Sequence, residues 1–140
     1  MKRYEILPHT ADVRLLVEGT SLEELFEAVL EGLAEILSPG SCEKNRKEKM
    51  DVERYLSIFS DDFTPLLIDF LSEVLTCGYL NKVVFCKVDF LVLEKKVLKA
   101  KIRGMRASEI TEDVKAVTYH EAEVVKNKRG NFETVVVFDI

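Results

Sequence analysis

A chain of 140 residues, 47% hydrophobic and 32% charged, has the makeup of one folded domain and excludes a disordered protein. Its formal charge of −5 makes stable direct binding of nucleic acid an unfavoured reading, because such a footprint is basic. The longest apolar runs, Val83-Val84-Phe85 and residues 135–138, are too short to span a bilayer, so no membrane partner is expected.

Tyr4 and Ile6 make a short strand that turns at Pro8, and Pro8-His9-Thr10-Ala11-Asp12 leads into a second strand. There Val13, Leu15 and Val17 share one face, while Asp12, Arg14, Leu16 and Glu18 share the other. Ser21 and Glu24 form an S-x-x-E capping box, each side chain satisfying an amide left over at a helix start. Leu22, Leu25, Phe26, Val29, Leu33, Ile36 and Leu37 then recur every three or four residues, an amphipathic helix that stops at Ser38-Pro39-Gly40.

A polar loop over 41–49 precedes a strand over 50–59 whose alternation is imperfect. Asp61 or Asp62 caps the next helix, Pro65 sits in its first turn, and Phe63, Leu66, Leu67, Phe70, Leu71, Val74 and Leu75 make its apolar stripe. Gly78 is the expected end. Everything beyond reads as β: a strand over 83–94, a turn at Glu94-Lys95-Lys96, a strand over 97–103 and a looser segment over 104–113. A final hairpin follows, from 114–120 through the turn Asn127-Lys128-Arg129-Gly130-Asn131 to the closing strand. The order ββαβα followed by β-hairpins predicts a single α+β domain over residues 1–140, two amphipathic helices on a mostly antiparallel sheet.

Cys42, Cys77 and Cys86 are odd in number, widely spaced and without a C-x-x-C pair, which argues against a disulfide framework or zinc ribbon and for buried thiols. No apolar stretch of the kind a secretory signal needs follows Met1-Lys2-Arg3-Tyr4-Glu5, so a cytoplasmic location is expected. Two basic clusters, Lys44 with Arg46, Lys47 and Lys49, and Lys126 with Lys128 and Arg129, read as solvated loops.

The chemistry concentrates in carboxylates. The apolar run Val135-Val136-Val137-Phe138 goes straight into Asp139, and Ile140 adds its α-carboxyl beside it. Asp12 reads either as a turn-satisfying carboxylate or, if the second and last strands are neighbours, as a third member of one acidic spot. Three such groups repel, so their pKa values rise or a hard cation joins them, Ca²⁺, Mg²⁺ or Mn²⁺. Lys115 reads as an edge lysine, His120 as a surface or core-satisfying ring, and His9 as a turn cap or a residue that orients Asp12. Neither a nucleophilic triad nor a glycine-rich phosphate loop is present.

Three blocks, His9-Thr10-Ala11-Asp12, Lys115-Ala116-Val117-Thr118-Tyr119-His120 and Phe138-Asp139-Ile140, resemble the signatures of the archease family, and both helices resemble that family's helices in order. The resemblance implies a non-enzymatic activator of the tRNA-splicing RNA ligase, which joins a 2′,3′-cyclic or 3′-phosphate end to a 5′-hydroxyl. It implies that Asp12, Asp139 and the Ile140 carboxylate hold a divalent metal ion, with Lys115, His120 and His9 as functional residues beside it. Departures are Phe70 and Phe132 where relatives often carry tryptophan, Met105 in place of an acid, and no acid at Ser38-Pro39, which bears on metal affinity. The alternatives are a chaperone-like or scaffold protein for RNA-modifying enzymes, and a small metal-dependent hydrolase, for which no general base is evident.

Overall fold

The alternation that begins at Asp12 builds a strand with one wet and one dry side, and the rest of the chain packs against the dry one. The computed structural model describes residues 1–7, 12–44, 50–107, 110 and 112–140. Its elements are β1 (Arg3–Leu7), β2 (Asp12–Gly19), α1 (Leu22–Leu37), α2 (Ser41–Lys44), β3 (Val52–Phe59), α3 (Phe63–Asn81), β4 (Val83–Glu94), β5 (Val97–Arg106), β6 (Ala116–Thr118), β7 (Val125–Lys126) and β8 (Phe132–Asp139). The α+β expectation holds, with two long helices on antiparallel strands and a one-turn α2 that the polar loop concealed.

The strands form two sheets. The larger runs β1-β2-β8-β6, with β7 also paired to β8, and the smaller runs β3-β5-β4. Val13, Leu15 and Val17 are buried as the alternation requires, and their partners Phe138, Val136 and Thr134 are buried with them. Both long helices lie on this inner side, and one apolar cluster joins residues of both sheets to α1 and α3. At its heart Phe26, Phe70 and Phe90 meet edge-to-face or tilted, with centroids 5.9 to 6.5 Å apart.

Helix α1 starts at the predicted cap: Ser21 Oγ accepts from the Glu24 N–H at 3.1 Å. The reciprocal half differs. Glu24 accepts from the backbone N–H of Thr20 at 2.9 Å and from its hydroxyl at 2.7 Å, one residue before the cap, and these bonds hold its carboxyl down at about 2. Asp62 caps α3 by accepting the Phe63 N–H at 2.7 Å. The helix does not end at Gly78. It continues to Asn81 and is closed by Lys82 in the left-handed region at φ 54, whose N–H bonds the Gly78 carbonyl. Gly78 serves β4 instead: a Cβ there would stand 2.9 Å from the Val83 carbonyl oxygen. By length and composition α3 would also pass for a membrane-crossing helix, yet Leu66, Leu67, Ile68, Phe70, Leu71, Val74 and Leu75 are all buried in the core.

Three further expectations are corrected. Cys42 and Cys86 form a disulfide across 44 residues, leaving Cys77 as the free thiol. Spacing rules detect local cysteine pairs, and this one is made by α2 folding against a bulge in β4, where the pairing with β5 skips Cys86. The strand after the 95–96 turn extends to Arg106, three residues beyond the predicted end. The strand foreseen over 114–120 is only β6, because Tyr119 leaves the sheet to donate its hydroxyl to Asp69 on α3 at 2.6 Å. Ser108, Glu109 and Thr111 of the looser segment lie outside the described residues.

Candidate functional site

Register decides where the carboxylates go. β2 and β8 run antiparallel with Asp12 directly opposite Asp139, and β6 adds Ala116 opposite Asp139 on the other side. The adjoining row, Val13-Phe138-Val117, turns its side chains toward the helices, so alternation sends those of Asp12 and Asp139 to the outer face. Opposed residues place their Cβ atoms about 5 Å apart, and like charges so placed are unfavourable without compensation. Asp12 is exposed, while Asp139 and Ile140 are half-buried. Ile140 packs its side chain against the core, and its α-carboxyl leaves the strand end one residue beyond Asp139.

This donor set consists of oxygens only, which fits a hard divalent cation in kind. In number it is short. Among the described residues no three His, Cys, Asp or Glu side chains gather as a metal group, so an ion held here would need the main-chain carboxylate of Ile140 and further oxygens from water or a partner.

Lys115 reaches the row through its backbone, its N–H donating to the Asp139 carbonyl at 2.7 Å. Its side chain is exposed, and among the described residues no ion pair joins it to either aspartate. His120 is exposed and follows β6 by two residues, with its N–H 3.3 Å from Thr118 Oγ1. His9 lies outside the described residues, as do Arg46, Lys47 and Lys49 of the first basic cluster.

Arg14 and Glu121 are the residues that sequence reasoning missed. Arg14 sits two positions beyond Asp12 on the same outer face, and its Nε and Nη2 each donate to the Glu121 carboxylate at 2.9 Å. That fork holds the turn after β6 beside the acidic row, with Glu121 at a positive φ of 64. Hydrogen bonding to Arg14 lowers the Glu121 pKa against the opposing effect of desolvation. The signal available in the sequence was only that Arg14 shares a face with Asp12.

The far end of the same outer face is locked by Glu18, a carboxylate 3% exposed in a strand expected to be wet there. It accepts from Arg129 at 2.8 and 3.0 Å, Asn127 at 2.7 Å and Asn131 at 2.8 Å, with Arg3 at 3.1 Å. Arg129, Asn127 and Asn131, in that order, bring its pKa down to about 2 against the effect of burial. The second basic cluster is therefore not simply solvated: Arg129 clamps Glu18, and Lys126 lies over the Phe132 ring at 5.2 Å.

Residues 4–140 match the model of the Archease protein family (MTH1598/TM1083). The chain is 36% identical to the protein archease of Pyrococcus abyssi, with 100% of each chain covered, and 30% identical to that of Methanosarcina mazei, covering 99% of this chain and 97% of the relative. Its fold is similar to the solution structure of Methanobacterium thermoautotrophicum protein 1598, with a TM-score of 0.76 and 26% identity over 98% of both chains. It is also similar to a Thermotoga maritima crystal structure described as an archease and possible chaperone, with a TM-score of 0.66 and 22% identity over 97% of this chain and 96% of that one.

Proposed function

The chain belongs to the archease family, and from that premise we propose that it is a non-enzymatic activator of the tRNA-splicing RNA ligase in the cytoplasm. In this reading it promotes guanylylation of the ligase's active-site histidine and sustains multiple turnover. Asp12, Asp139 and the Ile140 carboxylate hold one Ca²⁺, Mg²⁺ or Mn²⁺ ion, and Lys115, His120 and His9 line the contact with the ligase. The observation that carries the reading is the register of β2 against β8, which sets Asp12 opposite Asp139. An ion held by these oxygens, with water or a partner completing its shell, would supply charge stabilisation for nucleotidyl transfer. The chain's own contribution is to fix the carboxylates: Phe138 anchors the strand in the core, the Lys115 N–H holds the Asp139 carbonyl, and the Arg14–Glu121 fork keeps the adjoining turn in place.

The decisive experiment pairs Asp139→Ala with the unaltered chain. The variant is expected to keep its fold by circular dichroism, to lose the heat of Mn²⁺ binding in calorimetry and to abolish stimulation of ligase guanylylation. Undiminished stimulation by a folded Asp139→Ala chain rejects the carboxylate reading. The description of the Thermotoga relative as a possible chaperone favours a second reading, a chaperone-like or scaffold protein. Protection of an unrelated enzyme from thermal aggregation, retained by Asp139→Ala, would select it.

A further inference from the structure

The outer face of the smaller sheet is the part of the molecule that neither the carboxylate row nor the core explains. The register rows Tyr55-Lys101-Asp89 and Ser57-Lys99-Val92 point away from the helices, as their buried neighbours Leu56, Ala100 and Ile102 show. On the middle strand β5, Lys99, Lys101 and Arg103 are two residues apart, which makes a column of cations about 6.6 Å from one to the next. Lys87 stands beside Arg103 on β4, offset by the bulge. On the flanking strand β3, Tyr55 and Phe59 are 71% and 67% exposed and share this outer face, about 13 Å apart.

We propose that this face binds a single-stranded polynucleotide. An extended strand laid along β5 meets a cation at roughly each successive phosphate, and two of its bases stack on the Tyr55 and Phe59 rings. Large aromatic rings are normally drawn inward. Two of them standing on the outside of one strand, beside a regular cation column, form the pairing of stacking platform and charge that a single strand requires. Acidic residues share the face: Asp89 holds Arg103 at 2.8 Å, and Glu53 lies 3.8 Å from Lys101. Lys99, flanked by Ser57 and Val92, is exposed without an ion pair among the described residues, so its charge is available; Lys87 is exposed and makes no ion pair among them either, but it shares a groove with Glu27 and Glu31 of α1. The acids of α1 reach this face only at its β4 edge, where Glu27, Glu31 and Glu35 border Lys87, and Glu94 joins the Phe59–Val97 row at one end, so the open stretch for a phosphate is the middle of β5 around Lys99. The site is separate from the Asp12–Asp139 row and does not rest on the ligase reading.

The test is fluorescence anisotropy with the full chain and labelled strands of about twelve nucleotides. Oligouridylate and oligothymidylate of equal length distinguish RNA from DNA as the ligand, and an abasic strand of the same charge isolates stacking. Saturable binding is expected for at least one base-bearing strand, weaker by roughly tenfold for the abasic one. Tyr55→Ala with Phe59→Ala is expected to lose roughly the same factor, and Lys87→Gln with Lys99→Gln to reduce the salt slope by about 1.4. Asp139→Ala is expected to bind unchanged, which separates this site from the proposed activator site. Absence of binding at low salt overturns the proposal, as does binding indifferent to both variants and to the loss of bases. If no strand binds while Tyr55→Ala with Phe59→Ala loses ligase stimulation, the face docks a protein and the nucleic-acid proposal is rejected.

Discussion

The two sheets share one core but differ in what they do with their outer faces. On the larger sheet that face is closed over. Glu18 is sealed by Arg129, Asn127 and Asn131, Arg14 is forked by Glu121, and Val137 in the row between Arg14 and Thr118 is only 2% exposed. Several charges there are spent on one another, and the acidic row stands at the strand end. On the smaller sheet the face is open, with aromatic rings and lysines in solvent, and its covalent fixture, the Cys42–Cys86 bond, sits at the edge strand. A closed face gives a rigid mount for a few carboxylates, whereas an open one gives breadth.

That contrast can be broken most severely at what the two sheets have in common. Phe70 is fully buried between Phe26 and Phe90, so Phe70→Ala is expected to cost about 3–5 kcal/mol and to lower both sheets together. Denaturant melts followed by far-ultraviolet and tyrosine signals should still coincide; separated transitions would mean that the sheets do not share one cooperative core. Next in size is the disulfide. Cys42→Ser with Cys86→Ser removes a constraint across 44 residues and is expected to cost roughly 2–4 kcal/mol, while leaving the Mn²⁺ binding proposed for the larger sheet unchanged. Loss of metal binding in that variant would show that the two outer faces are coupled.

The smallest effect is a pH dependence on the larger sheet. The Glu18 carboxyl is held at about 2 in the fold against an ordinary value of 4.5. A depressed folded pKa contributes stability that is present above the ordinary value and is lost as pH falls from about 4.5 through about 2. Glu18→Gln is therefore expected to melt several degrees lower at neutral pH and to converge with the parent chain in acid. A constant gap between the two melting curves down to pH 2 would remove the Arg129 clamp as the cause.

The elements that were legible in the sequence are those whose determinants lie within a few residues of one another. Alternation from Val13 to Val17 gave the faces of β2, Ser21 with Glu24 gave the start of α1, and Asp62 with Pro65 gave the start of α3. Composition at the strand ends and family resemblance point to Asp12 and Asp139 without fixing their distance. Only the pairing of β2 with β8 sets them in one row, since strand order depends on which apolar faces bury each other across the whole chain.

What the sequence by itself determined, then, is the type and order of most elements and which side of each is dry, because hydrophobic periodicity and capping are local. Tertiary structure alone decided the Cys42–Cys86 bond, the burial of Glu18, the fork between Arg14 and Glu121 and the cation column beside Tyr55 and Phe59. Each of these brings together residues that are far apart along the chain; the cations of β5 and the rings of β3 are each local, and it is their meeting on one face that is not. Their encounter is set by sheet register, a property no short window of residues contains.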